Sequence, residues 1–102
     1  MRRFAFRPRA SDELITIVEW YESQRASVGD RFATSIALAL DPEPARWPTA
    51  YPIFIRTQRR ILIRPFPFGV IFLTEPDQIT VTAVVDLRKE PRMIRTRLRV
   101  EE

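Results

Sequence analysis

The sequence predicts an α+β fold, in which a short N-terminal strand and an antiparallel helical hairpin pack on a three- to four-stranded, mainly antiparallel sheet. Three observations lead to this prediction. Apolar residues repeat at helical spacing before residue 41, they alternate with period two after residue 52, and a proline-rich segment separates the two patterns. A chain of 102 residues suits one compact domain, 1–102.

The first elements along the chain are a strand and a helix. Phe4–Arg7 alternates in polarity and stops at Pro8, which indicates a short strand. Ser11–Gln24 has the period of an amphipathic helix, with a core-facing stripe formed by Leu14, Ile17, Val18 and Tyr21. Ile15 and Trp20 border this stripe and widen the apolar face beyond what one neighbour requires. The sequence therefore predicts a helix whose wide face can receive a partner.

A second helix and a loop follow. The string Ser27-Val28-Gly29-Asp30 has the form of a capping box, which predicts a helix from there to about Leu40. Only about four residues separate this helix from the first, so the two are expected to form an antiparallel hairpin. The prolines between Asp41 and Pro52 fit neither a helix nor a central strand, and we expect a loop there.

Three strands are expected in the second half of the chain, at about Ile53–Ile63, Gly69–Thr74 and Gln78–Asp86, with a bend in the first near Gln58. The short turns between them make the pairings antiparallel. Apolar and polar residues alternate in the last strand, which predicts a sheet with one dry face and one wetter face. The tail Arg92–Arg99 fits either a short helix or an additional strand.

The composition excludes several classes of site. The chain has no Cys and no His, so disulfides, thiolate sites, the usual zinc and haem ligand sets and His-based catalysis are impossible. Two glycines do not make a phosphate-binding loop. We therefore expect no catalytic residue of these types, no metal and no cofactor. No apolar run approaches the roughly 20 residues that cross a bilayer, and the N-terminus does not resemble a signal peptide, so a cytoplasmic protein without membrane association is expected.

The positive charge is concentrated in the second half of the chain. The 17 basic residues, all but one of them arginine, exceed the 13 acidic ones, and the whole excess lies after residue 51. Arg60 and Arg64 share a strand face at a separation of about 13 Å, and Arg88 is expected to point the same way. The prediction is a basic surface, opposite the helices, that suits phosphate or carboxylate groups. For Arg60 and Arg64 the alternative is a solvated strand face that keeps the sheet soluble.

Six short strings occur in a fixed order along nearly the whole chain. They are Trp20-Tyr21, Gly29-Asp30-Arg31-Phe32, Trp47-Pro48, Arg59-Arg60-Ile61-Leu62-Ile63-Arg64, Phe66-Pro67-Phe68-Gly69 and Asp86-Leu87-Arg88-Lys89-Glu90-Pro91. Together they resemble the RelE/ParE toxin superfamily. The resemblance implies the toxin of a type II toxin–antitoxin pair, which a cognate antitoxin holds inactive. A hetero-oligomer of the toxin and its antitoxin is expected.

Two branches of this superfamily differ in activity. RelE-like members cut mRNA on the ribosome with basic side chains and usually a C-terminal Tyr, whereas ParE-like members poison DNA gyrase by binding it. Here no Tyr or His follows Arg88, Met93 and Ile94 occupy that stretch, and Asp86 stands where many relatives carry His. These departures favour a ParE-like gyrase or topoisomerase inhibitor that is not an enzyme. A ribosome-dependent mRNA endonuclease and an inactive partner-binding relative are the alternatives.

The resemblance and the charge pattern together predict two contact surfaces. The residues expected to contact the target or a nucleic acid are Arg60, Arg64, Arg88 and Lys89. An antitoxin is expected to lay an amphipathic segment along Ile15 and Trp20 and to place acidic side chains against Arg60 and Arg64. The two tyrosines, Tyr21 and Tyr51, are expected to lie away from the arginine set.

Overall fold

The computed structural model describes residues 3–41 and 43–101 and contains a five-stranded mixed sheet with helices on both faces. The strands are β1 (Arg3–Phe6), β2 (Ile53–Ile55), β3 (Gln58–Ile63), β4 (Phe68–Thr74) and β5 (Gln78–Asp86), and their order in the sheet is β1-β5-β4-β3-β2. β1 pairs in parallel with β5, and the other pairs are antiparallel. The predicted α+β class is confirmed, with one strand more than the upper estimate.

The predicted helical hairpin is formed by α1 (Pro8–Gln24) and α2 (Val28–Leu40). α1 begins earlier than Ser11, because proline fits the first turn of a helix, where its missing N–H is not needed. Phe32 is fully buried, and its ring packs against three aromatic rings, those of Tyr21, Phe66 and Phe68, at centroid distances of 5.4, 5.0 and 5.4 Å. The hairpin therefore covers one face of the sheet with a largely aromatic core.

The turn between α1 and α2 differs chemically from the predicted capping box. Ser27 lies in the left-handed region, with φ of 75°, and its side chain makes no capping hydrogen bond. The carboxylate of Glu22 takes that role, since it accepts hydrogen bonds from the backbone N–H groups of Ser27 and Gly29 at 3.1 and 2.8 Å. Gly29 also lets the helices touch, because a Cβ there would lie 2.5 Å from the carbonyl oxygen of Val18.

The segment predicted as a loop, Asp41–Pro52, contains two short helices. They are α3 (Glu43–Arg46) and a 3₁₀ helix (Pro48–Ala50). Proline is tolerated in the first turn of a helix, which is why short helices form in spite of the proline content. Pro42 lies outside the described residues.

The predicted strand Ile53–Ile63 is two strands, β2 and β3, which form a hairpin. Arg56 has φ of 53°, in the left-handed region, and it lies in the turn between them. The bend expected near Gln58 is thus a complete reversal of the chain slightly earlier. Because the chain reverses at this turn, β2 and β3 lie side by side and pair in antiparallel orientation.

The expected wet face of β5 is not formed. Thr82 is left without a partner between two paired residues, Val81 and Ala83, and this bulge reverses the alternation of the strand. The hairpin-side core receives Ile79, Val81 and Val84, and a second core on the opposite face receives Ala83 and Val85. Thr80 and Thr82 are also buried. The prediction of one wet face is wrong because helices cover this strand from both sides.

The arginine-rich tail forms α4 (Pro91–Arg99), which covers the sheet face opposite the hairpin. Ile94 and Leu98, one helical turn apart, enter the second core. The amide of Gln58 donates to the carbonyl oxygen of Leu98 at 2.9 Å and accepts from the hydroxyl of Thr82 at 2.6 Å. The expectation that this face is uncovered is therefore wrong. Within the described residues, no helix has both the length and the apolar character needed to cross a membrane.

Candidate functional site

A groove of about 630 Å³ lies between α1, the end of β5 and α4. Apolar side chains line the groove, among them Ile17 and Ile94. Two large side chains at the borders of the groove, those of Trp20 and Met93, are half-exposed. Trp20 on α1 is 51% exposed and Met93 on α4 is 56% exposed. Accessible Trp and Met side chains on facing helices are typical of binding surfaces, where aromatic side chains anchor a partner.

Charged side chains surround this apolar surface. Four are basic and two acidic, namely Arg9, Arg88, Lys89 and Arg97 with Glu13 and Asp86. Both acidic groups are engaged in ion pairs with arginines of the groove. Among the described residues, Arg9 and Lys89 have no ion pair. The groove therefore combines an apolar floor with a net positive border.

The pair Asp86–Arg88 lies at one end of the groove. The guanidinium of Arg88 donates to both carboxylate oxygens of Asp86 at 3.0 and 2.9 Å, and the Arg88 backbone N–H donates at 2.9 Å. These hydrogen bonds lower the pKa of Asp86 although burial opposes the shift. The guanidinium also lies 5.9 Å from the centre of the Phe68 ring. Asp86 thus orients Arg88 and neutralises part of its charge, but the Arg88 side chain remains 60% exposed.

A second ion-pair cluster ties α4 to α1 next to the groove. Arg97 donates to both carboxylate oxygens of Glu13 at 2.9 and 3.0 Å, and to Glu101 at 2.7 Å. Arg7 extends the cluster with a hydrogen bond to Glu101 at 2.8 Å. Burial opposes the charge of Arg97, but the two carboxylates raise its pKa. The Glu13 carboxylate also accepts a hydrogen bond from the backbone N–H of Val84 at 3.1 Å. Val84 lies on β5 beyond Val81, the last residue of β5 that pairs with β1.

The predicted arginine set does not share one face of the sheet. Arg60 is paired with Ile71, points to the α4 side and lies 5.1 Å from the centre of the Phe54 ring. Its Nε is buried and has no hydrogen-bond partner. Arg64 is exposed just beyond the end of β3. Arg88 belongs to the hairpin side, so the expected cluster is split between the two faces.

The register of the sheet explains this separation. Asp86 pairs with Phe68, whose ring lies in the hairpin-side core, so both side chains leave the sheet on the hairpin side. The expected common face assumed uninterrupted alternation along β5. The bulge at Thr82 reverses that alternation before Asp86 is reached.

Ile15 and Trp20, the residues predicted to widen one face of α1, lie on its two flanks. Both are about half exposed, at 54% and 51%. At about 100° per residue they are about 140° apart around the helix. Trp20 borders the groove and Ile15 does not. A partner seated in the groove therefore reaches only one of them.

Sequence reasoning missed the nearness of Tyr21 to Arg88 and the role of Glu13. Burial raises the pKa of Tyr21, Arg88 lowers it and Asp86 raises it, so this phenol is within electrostatic reach of the ion pair. The expectation that Tyr21 lies away from the arginine set is wrong with respect to Arg88. Tyr21 lies beneath the groove and is not part of its lining. The position of Glu13 beside the apolar face of α1 was the only sign in the sequence that this acid has a structural role. Its partner, Arg97, could not be identified because it lies 84 residues away in the chain.

The carboxylates of the described residues do not form a metal site. Across residues 3–41 and 43–101, no three acidic side chains lie close enough together to hold a metal ion. The groove presents guanidinium, ammonium, carboxylate and apolar groups.

Comparison with known proteins finds a likeness in structure. No protein-family model matches the chain, and no curated protein matches it. A solved structure described as "Chromosomal ParDE TA system from P. aeruginosa" superposes with a TM-score of 0.74 at 14% sequence identity, covering 85% of this chain and 97% of that chain. At 14% identity this likeness shows a shared fold, and it confirms the fold that the resemblance of the sequence strings implies.

Proposed function

We propose that this chain is the toxin of a type II toxin–antitoxin module, that a cognate antitoxin neutralises it, and that its target is DNA gyrase or another topoisomerase. The observation that carries the proposal is the groove with an apolar floor and a basic border, on a fold shared with the ParDE structure. Such a groove suits a protein that acts by binding.

An amphipathic antitoxin segment fits this groove by shape and charge. Its apolar side chains would pack on Trp20 and Met93, and its acidic side chains would meet Arg9 and Lys89. Ile15 lies on the other flank of α1, and the predicted contacts Arg60 and Arg64 lie outside the groove. An antitoxin that touches all of these residues must wrap around the molecule.

Arg88 and Lys89 are the proposed target contacts, because both are exposed at the end of the groove. The two groove carboxylates, Glu13 and Asp86, are held by arginines. The hydrogen bonds from Arg88 lower the pKa of Asp86 and make it a weak general base, so this end of the groove favours binding of a target over hydrolysis.

The target is tested with purified protein in a gyrase supercoiling assay. We expect loss of supercoiling together with trapped cleavage complexes. The double variant R88E/K89E should abolish both effects, whereas R31E, which reverses an exposed charge on α2 away from the groove, should retain them. Undiminished supercoiling with no trapped complex would contradict gyrase as the target.

Antitoxin binding is tested with the protein encoded beside this gene. Trp20→Ala should weaken the complex by about 2 kcal/mol, or roughly 30-fold in Kd, since it removes a half-buried aromatic anchor. Trp47→Ala is the matched control, because Trp47 is also exposed, at 66%, but does not line the groove. Equal affinities of the two variants in calorimetry would remove the groove from the interface.

The predicted contacts of Arg60 and Arg64 are tested by charge reversal in the same calorimetric experiment. R60E/R64E should weaken the antitoxin complex and reduce its dependence on salt concentration, because two favourable charge contacts are lost. Unchanged affinity would place both residues outside the interface.

A ribosome-dependent mRNA endonuclease is the second candidate, and one observation favours it. The phenol of Tyr21, a side chain that can act as a general acid, lies within electrostatic reach of Arg88. Primer extension on translated messages distinguishes the two functions, since codon-phased cuts that Tyr21→Phe abolishes would establish the nuclease. Expression without the antitoxin that leaves growth unchanged would indicate an inactive relative.

A further inference from the structure

Two segments that pack together on the α4 side of the sheet are strongly basic. Residues 53–63, which form β2 and β3, and residues 91–99, which form α4, contain seven arginines and no acidic residue. They contact each other through Phe54 and Ile55 in the second core and through the hydrogen bond from Gln58 to Leu98. Their seven positive charges exceed the net charge of +4 of the whole chain, so the rest of the chain is net negative.

Three of these arginines form a stripe along the outer side of α4. Arg92, Arg95 and Arg99, called here the arginine stripe, are all exposed. Each lies about 140° to 160° around the helix from Arg97, which points to Glu13 on α1. Among the described residues, no carboxylate pairs with any of the three. The stripe is thus directed away from α1 and toward the side of β3 and β2.

The free state of the stripe contrasts with the engaged state of two other arginines of the two segments, Arg97 and Arg59. Arg97 is neutralised by Glu13 and Glu101. Arg59 donates to the carbonyl oxygen of Tyr51 at 2.7 Å. The stripe therefore presents guanidinium groups that have no carboxylate partner within residues 3–41 and 43–101.

We propose that the arginine stripe binds the phosphate backbone of duplex DNA. The Cα atoms of Arg92 and Arg99 are about 10 Å apart along the helix axis, at 1.5 Å per residue. One strand of a duplex presents about three phosphates over that length, at 3.4 Å per nucleotide. Three guanidinium groups thus meet three phosphates, each with the fork geometry that suits phosphate oxygens.

Two features select a duplex over the other polyanions. Single-stranded nucleic acids are held by bases stacked on exposed aromatic rings. The aromatic ring of the two basic segments, that of Phe54, is half-buried and covered by Arg60. An acidic protein partner normally adds apolar anchors among the charged contacts. The exposed residue between Arg95 and Arg99 is Thr96, Met93 faces the groove, and Val100, which is 69% exposed, lies about 100° around the helix axis from Arg99. A backbone-only contact with a duplex needs neither feature.

This binding site goes beyond the proposed toxin function and does not depend on it. The test contains neither gyrase nor antitoxin, so a negative result leaves the proposed target untouched. Equally, a protein that fails to inhibit gyrase can still bind DNA through the stripe.

The experiment measures binding of the full chain to a fluorescent 25-base-pair duplex between 50 and 200 mM NaCl. We expect the triple variant R92Q/R95Q/R99Q to bind more weakly and to lower the slope of log K against log salt by about 0.9 for each arginine. In the wild type, these three contacts by themselves should weaken binding by about 40-fold when the salt concentration rises from 50 to 200 mM. The matched control R25Q/R31Q/R46Q removes three exposed arginines outside the two segments and should retain the wild-type slope.

Three outcomes would overturn the proposal. The first is equal losses in the triple variant and in its control, which would mean that only net charge matters. The second is tighter binding to a single-stranded DNA or RNA of the same length than to the duplex. The third is binding of a poly-glutamate peptide through the arginine stripe without binding of the duplex, which would assign the surface to an acidic protein partner.

Discussion

The hairpin face and the α4 face of the same sheet are stabilised in different ways. On the hairpin face, an aromatic cluster fills the core, with Tyr21 and Phe32 packed against Phe66 and Phe68. On the α4 face, two aliphatic side chains of the helix are buried. Most of the remaining attachment of α4 is polar, through Arg97 and through the hydrogen bond from Gln58.

This difference teaches which element depends on charge. Burial of aromatic surface is nearly independent of pH and salt, whereas an ion-pair cluster loses strength when a carboxylate is protonated. We therefore expect the hairpin to set the overall stability, and α4 to respond to solution conditions. Both candidate binding surfaces include α4, so its attachment bears on both.

The largest expected effect is that of Phe32→Ala. Phe32 is fully buried among three rings, so the substitution should lower the free energy of unfolding by about 3–5 kcal/mol. Leu98→Ala, the counterpart in the second core, should cost less, about 2–3 kcal/mol. Urea denaturation of the two variants measures the difference. Equal losses would show that the two faces contribute alike.

Arg97→Met breaks the cluster that attaches α4. The variant keeps much of the side-chain volume but leaves Glu13 and Glu101 without their shared partner, which should cost about 1–3 kcal/mol. Hydrogen exchange should show faster opening of α4 while α1 and α2 stay protected. Arg95→Met, on the exposed side of the same helix, should change stability by less than about 0.5 kcal/mol. Uniformly faster exchange would contradict separate attachment.

Gly29→Ala tests the close contact inside the hairpin. Helix propensity alone favours alanine by about 1 kcal/mol. The new Cβ would, however, lie 2.5 Å from the carbonyl oxygen of Val18 and 2.8 Å from Cγ of Glu22, so the helices must separate. We expect a net loss of about 1–2 kcal/mol in thermal or urea unfolding. A stabilised variant would show that α2 shifts without cost.

The smallest expected effect is the pH dependence of Glu101. Burial raises the pKa of this carboxyl, but Arg7 and Arg97 outweigh it and lower the pKa below the ordinary value of 4.5. Its contribution to stability is thus fully present above pH 4.5 and is lost as the pH falls through the folded-state pKa. Urea titrations between pH 6 and pH 3 should show a smaller decline for Glu101→Gln than for the wild type. Identical declines would mean that other carboxylates control acid unfolding.

Local sequence patterns predicted the hairpin well because its determinants are close in sequence. The apolar, core-facing residues of α1, which include Leu14 and Tyr21, follow the period of one helix. The turn to α2 lies within a few residues of Glu22 and Gly29. The strands were placed nearly correctly for the same reason. The division of Ile53–Ile63 was missed, since nothing in the local alternation marks Arg56 as a residue in the left-handed region.

Three residues of the groove were named from the sequence as members of two different predicted contact surfaces. Trp20, Arg88 and Lys89 were identified from the sequence, and the structure places all three around one groove. Arg60 was expected beside Arg88 and points to the other face. The error arose at the bulge of β5, a local irregularity that depends on the register with β4.

The sequence by itself determined the types of α1, α2 and the strands, because these follow from periods of 3.6 or two residues. It also determined the concentration of positive charge after residue 51 and the absence of Cys and His, which follow from composition. Only the tertiary structure decided that β1 joins β5, that α4 covers the second face and that Glu13 meets Arg97. These contacts join segments far apart in the chain. Their free energy depends on burial and distance, which no local pattern records.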